Sequence, residues 1–302
     1  MNIIFETMQS LQFENITIDR VDLPVNPNKI DVSVLRLDKI HPLISGNKWF
    51  KLQYYIKEAK QQGKKGLLTF GGAWSNHIIA TAAAAAMNGL QSTGIIRGEE
   101  PTVLSPTLVA ASELGMHLYF TGREAYSNKE IPKEIDQSSL LLIPEGGYGT
   151  TGALGAADIS NYFNRDSFTH ICCAVGTGTM LAGLINSSLP QQQLTGISVM
   201  KNNHSLDEAV RSLLHDPSRT FTVLHDFHEG GYAKHNPRLL AFMNEWMRST
   251  GIPSDIVYTG KLFLAISRLA ADVYFPLQSR LLLIHSGGLQ GNASLSKETL
   301  IF

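Results

Sequence analysis

Beyond about residue 49, short apolar runs alternate with longer amphipathic or alanine-rich segments along the chain. Short apolar runs bounded by glycine and polar residues predict buried strands, and the longer segments predict helices. The predicted strands comprise residues 66–70, 92–96, 117–120, 140–143, 170–175, 194–199 and 280–285. The predicted helices comprise residues 49–62, 76–88, 105–114, 151–163, 179–187, 206–215, 237–249 and 261–271. This alternation predicts an α/β fold with mainly parallel strands and right-handed crossovers.

Glycine clusters follow several of the predicted strands: Gly71-Gly72, Gly146-Gly147-Tyr148-Gly149, Gly176-Thr177-Gly178-Thr179 and Gly287-Gly288. In open parallel sheets, ligands bind at the carboxyl ends of the strands, so these clusters are the candidate binding loops. The polar stretch 122–138 contains Pro132 and is the best candidate for a mobile surface segment.

Composition excludes several classes of function. The 302 residues suffice for one large domain or two smaller ones, and 43% hydrophobic with 17% charged residues is an ordinary globular balance. A formal net charge of -1 without a strongly basic segment argues against a nucleic-acid partner. Residues 1–15 lack the basic region of a signal peptide, and apolar stretches such as 78–87 are too short for a membrane span. We therefore expect a cytoplasmic protein.

The only two cysteines, Cys172 and Cys173, are adjacent in a predicted strand. Neighbours on a strand point to opposite faces, so a disulfide between them is not expected. We predict two buried thiols in a protein core.

The segment from Ala174 to Gly183 follows an apolar strand and opens a helix. Its glycines let the backbone approach a ligand closely, and the free N–H groups at a helix start attract an anion. The hydroxyls of Thr177 and Thr179 add donors. This order of strand, loop and helix favours a phosphate site over an ordinary turn.

Nucleotide-binding patterns fit less well. Residues 147–152 match G-x-G-x-x-G, but no acidic residue lies between Asp166 and Asp207, where a dinucleotide site would need one. The loop at Gly176 carries Leu181 in place of a third glycine. A P-loop needs a hydroxyl after Gly-Lys, and Leu262 follows Lys261. A nucleotide-dependent oxidoreductase is therefore disfavoured.

Two further segments contain chemistry-bearing residues. Lys48 stands beside small residues at a helix start, where desolvation lowers the pKa of a lysine and makes it a nucleophile toward an aldehyde. Ser75, Asn76 and His77 follow a predicted strand, where such groups bind a carboxylate and an aromatic oxyanion. The alternatives are a solvated surface lysine and a simple helix cap by Ser75.

Six spaced motifs now stand in a characteristic order: Gly46-Asn47-Lys48, Lys51-Leu52, Gly71-Gly72 with Ser75-Asn76-His77, Gly176-Thr177-Gly178-Thr179, Tyr258-Thr259-Gly260-Lys261 and His285-Ser286-Gly287-Gly288. Over nearly its whole length the chain resembles the family of 1-aminocyclopropane-1-carboxylate (ACC) deaminases and D-cysteine desulfhydrases. These are pyridoxal 5′-phosphate (PLP) enzymes of the tryptophan synthase β-like fold (fold type II).

The resemblance implies two three-layer αβα domains with mainly parallel sheets. The larger, cofactor-binding domain would comprise residues 1–51 and 151–302, and the smaller domain residues 52–150, with the active site between them. It also implies a homodimer and a small amino acid as substrate.

The resemblance also implies a role for individual residues. Lys48 would hold PLP as a Schiff base, Lys51 would reach its phosphate, and Asn76 its phenolic oxygen. Ser75, with backbone groups of Asn76 and His77, would bind the substrate carboxylate. The remaining residues that it assigns are Gly176, Thr177, Gly178 and Thr179 at the phosphate, Ser286 at the pyridine nitrogen, and Tyr258 and Tyr232 as active-site tyrosines. Which of Lys48, Ser75 and the tyrosines moves each proton stays open.

Two positions separate the branches of this family. ACC deaminases typically carry Glu after the tyrosine of the Tyr-x-Gly-Lys motif and Leu before the Gly-Gly, whereas this chain has Thr259 and Ser286. Both resemble the desulfhydrase branch. His77 replaces a Gln of many members, and it is interpreted either as a proton shuttle or as a hydrogen-bond donor to the carboxylate.

The resulting hypothesis is a PLP-dependent lyase that converts D-cysteine, or another β-substituted alanine, to a 2-oxo acid and ammonia. An ACC deaminase is the alternative in the same class. A non-catalytic protein that binds PLP or a phosphate ligand is the alternative in another class.

Overall fold

The structure is a computed structural model that describes residues 10–302. Its strands are β1 (Ile18–Val21), β2 (Asp31–Arg36), β3 (Gly66–Gly71), β4 (Gln91–Arg97), β5 (Met116–Thr121), β6 (Leu140–Ile143), β7 (His170–Val175), β8 (Gln193–Ser198), β9 (Thr222–Leu224) and β10 (Arg280–His285). They form a six-stranded sheet in the order β1-β2-β10-β7-β8-β9 and a four-stranded sheet in the order β5-β4-β3-β6. All pairings are parallel except that of β1 with β2.

Helices connect the strands and cover both sheets. They are α1 (Asn47–Gln61), α2 (Asn76–Met87), α3 (Pro106–Glu113), α4 (Arg123–Ser127), α5 (Thr150–Ala157), α6 (Thr179–Ser187), α7 (Leu206–Arg211), α8 (Pro237–Thr250) and α9 (Thr259–Ala271). Side-chain capping begins several of them; for example, the hydroxyl of Ser105 accepts a hydrogen bond from the Leu108 N–H at the start of α3. None of the helices in residues 10–302 is long and apolar enough to cross a membrane.

The six-stranded sheet is apolar on both faces, as expected of a sheet with helices on each side. Along β10, Leu282 and Ile284 pack into one core with α5, α6 and α7. Leu281 and Leu283 pack into the opposite core with α9 and Trp246 of α8. Cys173 and Cys172 divide between these cores in the same way, and both are buried and free, which confirms the prediction of two core thiols.

The four-stranded sheet is covered less evenly. One face packs against the apolar sides of α1, α2 and α3, including the alanine run of α2. On the other face, Phe70 and Ile95 pack against Tyr126 of α4 and Ile135. Those two residues come from the stretch 122–138, so the segment that we predicted to be mobile contributes buried side chains to the fold.

Helix α1 joins the two halves of the molecule. Phe50 belongs to a core of the six-stranded sheet, whereas Leu52 and Ile56 belong to the core of the four-stranded sheet. Helix α5 approaches α1 so closely that a β-carbon at Gly155 would lie 1.8 Å from the carbonyl oxygen of Phe50. The contact therefore requires glycine.

The predicted α/β fold with mainly parallel strands is confirmed, and every predicted strand and helix is present. Strands β1, β2 and β9 and helix α4 were not predicted. The predicted domain boundary at residue 51 falls inside α1, and residues 1–9 of the predicted larger domain lie outside the described residues.

We expect Gly155→Ala to destabilise the protein by about 2 kcal/mol, because the added methyl group must push α1 and α5 apart. Urea unfolding measures the change. Gly72→Ala is the matched control, since no atom lies within 4 Å of a β-carbon there. Equal unfolding midpoints for the two variants would show that the helices are not packed as described.

Candidate active site

One cavity of about 680 Å³ lies where the carboxyl ends of strands from both sheets meet. The sequence-predicted site residues that line it are Lys48, Lys51, Ser75, Asn76, His77, Gly176, Thr177, Gly178, Tyr232, Tyr258 and Ser286. Thr179 is the exception: its hydroxyl lies 3.0 Å from that of Thr177, and its side chain is fully buried at the start of α6. Residues that are far apart in sequence are therefore brought together at one place.

Close backbone packing places Lys48 in the cavity. Gly46 has a φ of +63°, and a β-carbon there would lie 1.9 Å from the carbonyl oxygen of Ser286. The Asn47 N–H donates to the same oxygen at 3.2 Å. This contact joins the start of α1 to the end of β10, and so Lys48 and Ser286 face one cavity.

Two lysines share the floor of this cavity without a carboxylate partner. Burial lowers the pKa of Lys48 to about 8, against a smaller opposing effect of Asp255. Burial and the nearby charge of Lys48 hold the pKa of Lys51 well below its ordinary value. Neither lysine is within ion-pair distance of an acid in residues 10–302; Lys48 donates to the Asn47 side chain at 3.0 Å and Lys51 to the Gly146 carbonyl at 3.1 Å. An anionic ligand would favour the charged form of both amines and offset their desolvation.

The loop between β7 and α6 supplies donors that suit an anion. Gly178 has a φ of +85° immediately before α6, so the chain turns sharply into the helix and leaves its first N–H groups free. A β-carbon at Gly176 would lie 3.3 Å from the ring of Tyr258, so a larger residue there would press on that ring. The predicted phosphate loop thus has the geometry of a helix N-terminal anion site.

The start of α2 forms another wall. The hydroxyl of Ser75 caps the helix by accepting from the His77 N–H at 3.2 Å. The amide nitrogen of Asn76 donates to the Gly288 carbonyl at 3.2 Å, whereas its buried amide oxygen has no partner in the structure. An orphaned polar atom on a cavity wall indicates a ligand position.

The protonation of His77 follows from its neighbour Thr69. The Thr69 hydroxyl donates to the Ile143 carbonyl at 2.8 Å, so Nε2 of His77, 2.9 Å from the same hydroxyl, must donate to it. Nδ1 is then an unprotonated acceptor, and it is buried without a partner. Burial, with the charges of Lys48 and Lys51, holds the pKa of His77 well below its ordinary value. The neutral ring is an acceptor at this position.

The two predicted tyrosines lie side by side over the lysine. The ammonium of Lys48 is 5.7 Å from the centre of the Tyr258 ring, and the rings of Tyr258 and Tyr232 are 6.2 Å apart in an edge-to-face arrangement. Burial, with the nearby Tyr232, raises the pKa of Tyr258 well above its ordinary value, so its hydroxyl keeps its proton near neutral pH. Tyr232 is 47% exposed and extends toward the opening of the cavity.

Asp255 was not predicted, although it organises the tyrosine. Its fully buried carboxylate accepts from the N–H groups of Val257, Tyr258 and Thr259 at 2.8–2.9 Å and from the Thr259 hydroxyl at 2.7 Å. It therefore caps α9 and fixes the backbone of Tyr258. An aspartate shortly before a predicted helix is a usable capping signal, but burial of the carboxylate is not visible in sequence.

Lys261 fixes the other tyrosine. Its side chain is fully buried, and Nζ donates to the Gly231 carbonyl at 2.6 Å, one residue before Tyr232. The surrounding loop has positive φ at Glu229, Gly230 and Gly231 and lies outside any helix or strand, so Lys261 adds to the turn hydrogen bonds that hold it. The motif lysine, which resembled an incomplete P-loop in sequence, is a support for the Tyr232 loop.

We expect the amine of Lys48 in cofactor-free protein to react with an acylating reagent with half-maximal rate near pH 8, because burial lowers its pKa to about that value. Below that pH the amine is protonated and unreactive. Competitive labelling followed by peptide mass spectrometry measures the profile. The control is the urea-unfolded chain, in which the pKa of the lysine returns to roughly 10.4. A midpoint at that pH in the folded protein would contradict the described burial.

Known proteins share this architecture. A putative 1-aminocyclopropane-1-carboxylate deaminase of Thermotoga maritima is 28% identical, covering 90% of this chain and 97% of its own. A mitochondrial bifunctional D-cysteine desulfhydrase/1-aminocyclopropane-1-carboxylate deaminase of Arabidopsis thaliana is also 28% identical, covering 91% of this chain and 76% of its own. The solved structure of an ACC deaminase homologue is 25% identical, with a TM-score of 0.75 and 97% of each chain covered.

The model of the family of pyridoxal-phosphate dependent enzymes matches residues 27–287. This range contains every strand except β1, and it contains all the sequence-predicted site residues. With the fold, the cationic cavity and these relatives in agreement, the chain belongs to the family of pyridoxal-phosphate dependent enzymes.

Proposed function

We propose that the protein is a PLP-dependent lyase that removes the β-substituent and the amino group from a small amino acid, with D-cysteine as the reference substrate. The observation that carries the proposal is Lys48, an amine of lowered pKa, in one cavity with the anion-binding loop at Gly176. An amine that reacts with an aldehyde and a loop that binds a phosphate are the two requirements of this cofactor. The relatives named as desulfhydrase and deaminase support the same class.

The cavity residues fit the cofactor's functional groups. Lys48 would hold it covalently, and the phosphate would lie at Gly176, Thr177 and Gly178, with Thr179 fixing the loop. Lys51 would add positive charge on the phosphate side. The Asn76 amide, one atom of which is buried without a partner, would meet the phenolic oxygen, and the hydroxyl of Ser286 the ring nitrogen.

When bound, PLP withdraws electrons from the α-carbon of an attached amino acid. Ser75, the N-cap residue of α2, would hold the substrate carboxylate with the backbone N–H of Asn76. His77 would not assist through its ring, because its bare Nδ1 repels a carboxylate. The neutral ring would accept a hydrogen bond at Nδ1, but its lowered pKa makes it a poor proton shuttle, and without a free N–H it is a poor donor to the carboxylate.

The protonation states of Lys48 and Tyr258 suggest which residue moves each proton. Lys48, with a pKa of about 8, changes protonation state close to neutral pH and is suited to remove the α-proton. Tyr258 keeps its hydroxyl proton and is suited to stabilise a leaving thiolate by donating a hydrogen bond to it. Tyr232 would support Tyr258 from the open side of the cavity.

Elimination agrees better with these residues than ring opening does. Among the described residues that line the cavity, Glu145 is the only acid, and it pairs with Lys129 instead of facing Ser286. A hydroxyl partner gives the ring nitrogen no negative charge, which makes the electron sink weaker. A weak sink suffices for a thiol leaving group and suits an unactivated cyclopropane poorly. Thr259 is bound to Asp255, away from the cavity.

The proposed reaction balances without an oxidant. The Cα–H and Cβ–S bonds of cysteine break, the sulfur leaves with the electron pair, and a carbon–carbon double bond forms. Hydrolysis of the released enamine gives pyruvate and ammonia, so cysteine and water yield pyruvate, ammonia and sulfide. A homodimer, a cytoplasmic location and the division into a larger domain (1–51 and 151–302) and a smaller domain (52–150) stay predictions based on the family resemblance.

The direct test offers D-cysteine, L-cysteine and ACC separately to PLP-loaded protein and measures sulfide and 2-oxo acid. We expect equal amounts of sulfide and pyruvate from D-cysteine. Sulfide from the L-isomer alone would contradict the desulfhydrase assignment. Faster 2-oxo acid release from ACC would make the protein an ACC deaminase, and no turnover across a panel of small amino acids would leave a non-catalytic PLP-binding protein.

We expect Tyr258→Phe to lower turnover of D-cysteine by about a hundredfold, the usual contribution of one positioned hydrogen-bond donor. Visible absorbance should show that the cofactor remains bound, because the ring and its packing are kept. Tyr274→Phe, at an exposed tyrosine outside the cavity, is the control. Unchanged turnover in Tyr258→Phe would remove this hydroxyl from the mechanism.

A further inference from the structure

The charged side chains that line the cavity are unbalanced. Among the described residues, five lining side chains are cationic, and Glu145 is the one acid. The cations are Lys48, Lys51, Arg97, Arg123 and Lys129. The whole chain has a formal charge of -1, so the excess of positive charge is a local property of this cavity.

Glu145 neutralises only one of these cations. Its carboxylate pairs with Lys129 and accepts from the Tyr126 hydroxyl at 2.7 Å. In residues 10–302, neither Arg97 nor Arg123 forms an ion pair with an acid. Both arginine side chains are exposed where they line the cavity, and among the described residues no acid neutralises their positive charge.

The backbone holds these arginines next to each other. Arg97 ends β4 and pairs in register with Thr121, the last residue of β5. The Gly98 N–H donates to the Thr121 carbonyl at 2.8 Å, and Arg123 begins α4 directly beyond. Both arginines thus stand at the carboxyl ends of neighbouring parallel strands, the edge at which such sheets bind ligands.

Tyrosine side chains of the same cavity lie near Lys48 at one end and near Arg97 at the other. Tyr258 lies over Lys48, and Tyr232 lies edge-to-face against Tyr258, as described above. Tyr232 is within electrostatic range of Tyr126 and Glu145, and Tyr126 in turn is within range of Arg97. Arg97 and Arg123 therefore line the same cavity as Lys48 and Tyr232, in which a substrate side chain would extend away from the reacting end.

We propose that Arg97 and Arg123 form a specificity site for a negatively charged β-substituent of the substrate. The preferred substrates are then β-substituted alanines whose leaving group carries an anionic oxygen group, such as a phosphate ester. This inference rests on the proposed elimination and narrows its substrate class. The planar guanidinium donates two parallel hydrogen bonds to such a group, so arginine is better suited to the task than lysine.

An anionic substituent would leave by the same elimination that is proposed for cysteine. For O-phosphoserine the Cα–H and Cβ–O bonds break, and phosphate leaves with the electron pair. Water then converts the released enamine to pyruvate and ammonia. No oxidant or further reactant is needed.

The experiment compares kcat/KM for O-phosphoserine and neutral O-acetylserine, both in the enantiomeric form that the PLP-loaded protein accepts. We expect the anionic substrate to be preferred. In Arg97→Gln and in Arg123→Gln, the ratio of the two kcat/KM values should fall roughly tenfold, the usual effect of one charge-assisted hydrogen bond. Lys133→Gln, an exposed cation of the same segment outside the cavity, should leave the ratio unchanged.

A binding measurement separates this inference from the proposed function. Calorimetry with PLP-loaded protein compares succinate, which carries a second carboxylate, with butyrate, which lacks it. Tighter binding of succinate that disappears in Arg97→Gln/Arg123→Gln supports the site even if no amino acid is turned over. Equal binding of the two acids, or an unaltered ratio of the two kcat/KM values in the double variant, overturns the inference. The proposed elimination is then tested by the cysteine assay alone.

Discussion

The site depends on two lysines, half-buried Lys48 and buried Lys51, that have no carboxylate partner among residues 10–302. Lys48 and Lys51 lie one helical turn apart on α1 at the floor of a cavity, and desolvation lowers the pKa of both. Desolvation makes the charged form of both amines costly, and an anionic ligand would offset that cost. The anion loop at Gly176 stands opposite, so the surrounding structure supplies what a phosphorylated aldehyde needs.

The fold serves to bring these groups together from distant parts of the chain. Helix α1 packs into the cores of both sheets and starts against the end of β10, where Gly46 leaves room for the Ser286 carbonyl. Behind the cavity, buried charges fix the two tyrosines: Asp255 caps the helix that begins after Tyr258, and Lys261 holds the loop of Tyr232. Rigid supports of this kind are what a preorganised site requires.

Sequence alone predicted the strands and helices with strong periodicity and, through spaced motifs, the residues of the cavity. It did not predict β1 and β9, which are short edge strands whose existence depends on pairing with a neighbour. It also did not predict Asp255, Lys261 and Arg97 as parts of the site. A sequence shows that a residue is charged, whereas its burial, its partner and its neighbours across a sheet edge are properties of the folded chain.

The most direct test of the proposed site identifies the residue that holds the cofactor. Purified protein is loaded with PLP, its visible absorbance is recorded before and after borohydride, and the reduced protein is mapped by peptide mass spectrometry. We expect a yellow protein whose visible band borohydride abolishes, with the reduced cofactor fixed to Lys48. A protein that stays colourless with added PLP, or a cofactor fixed to another lysine, would contradict the proposed site.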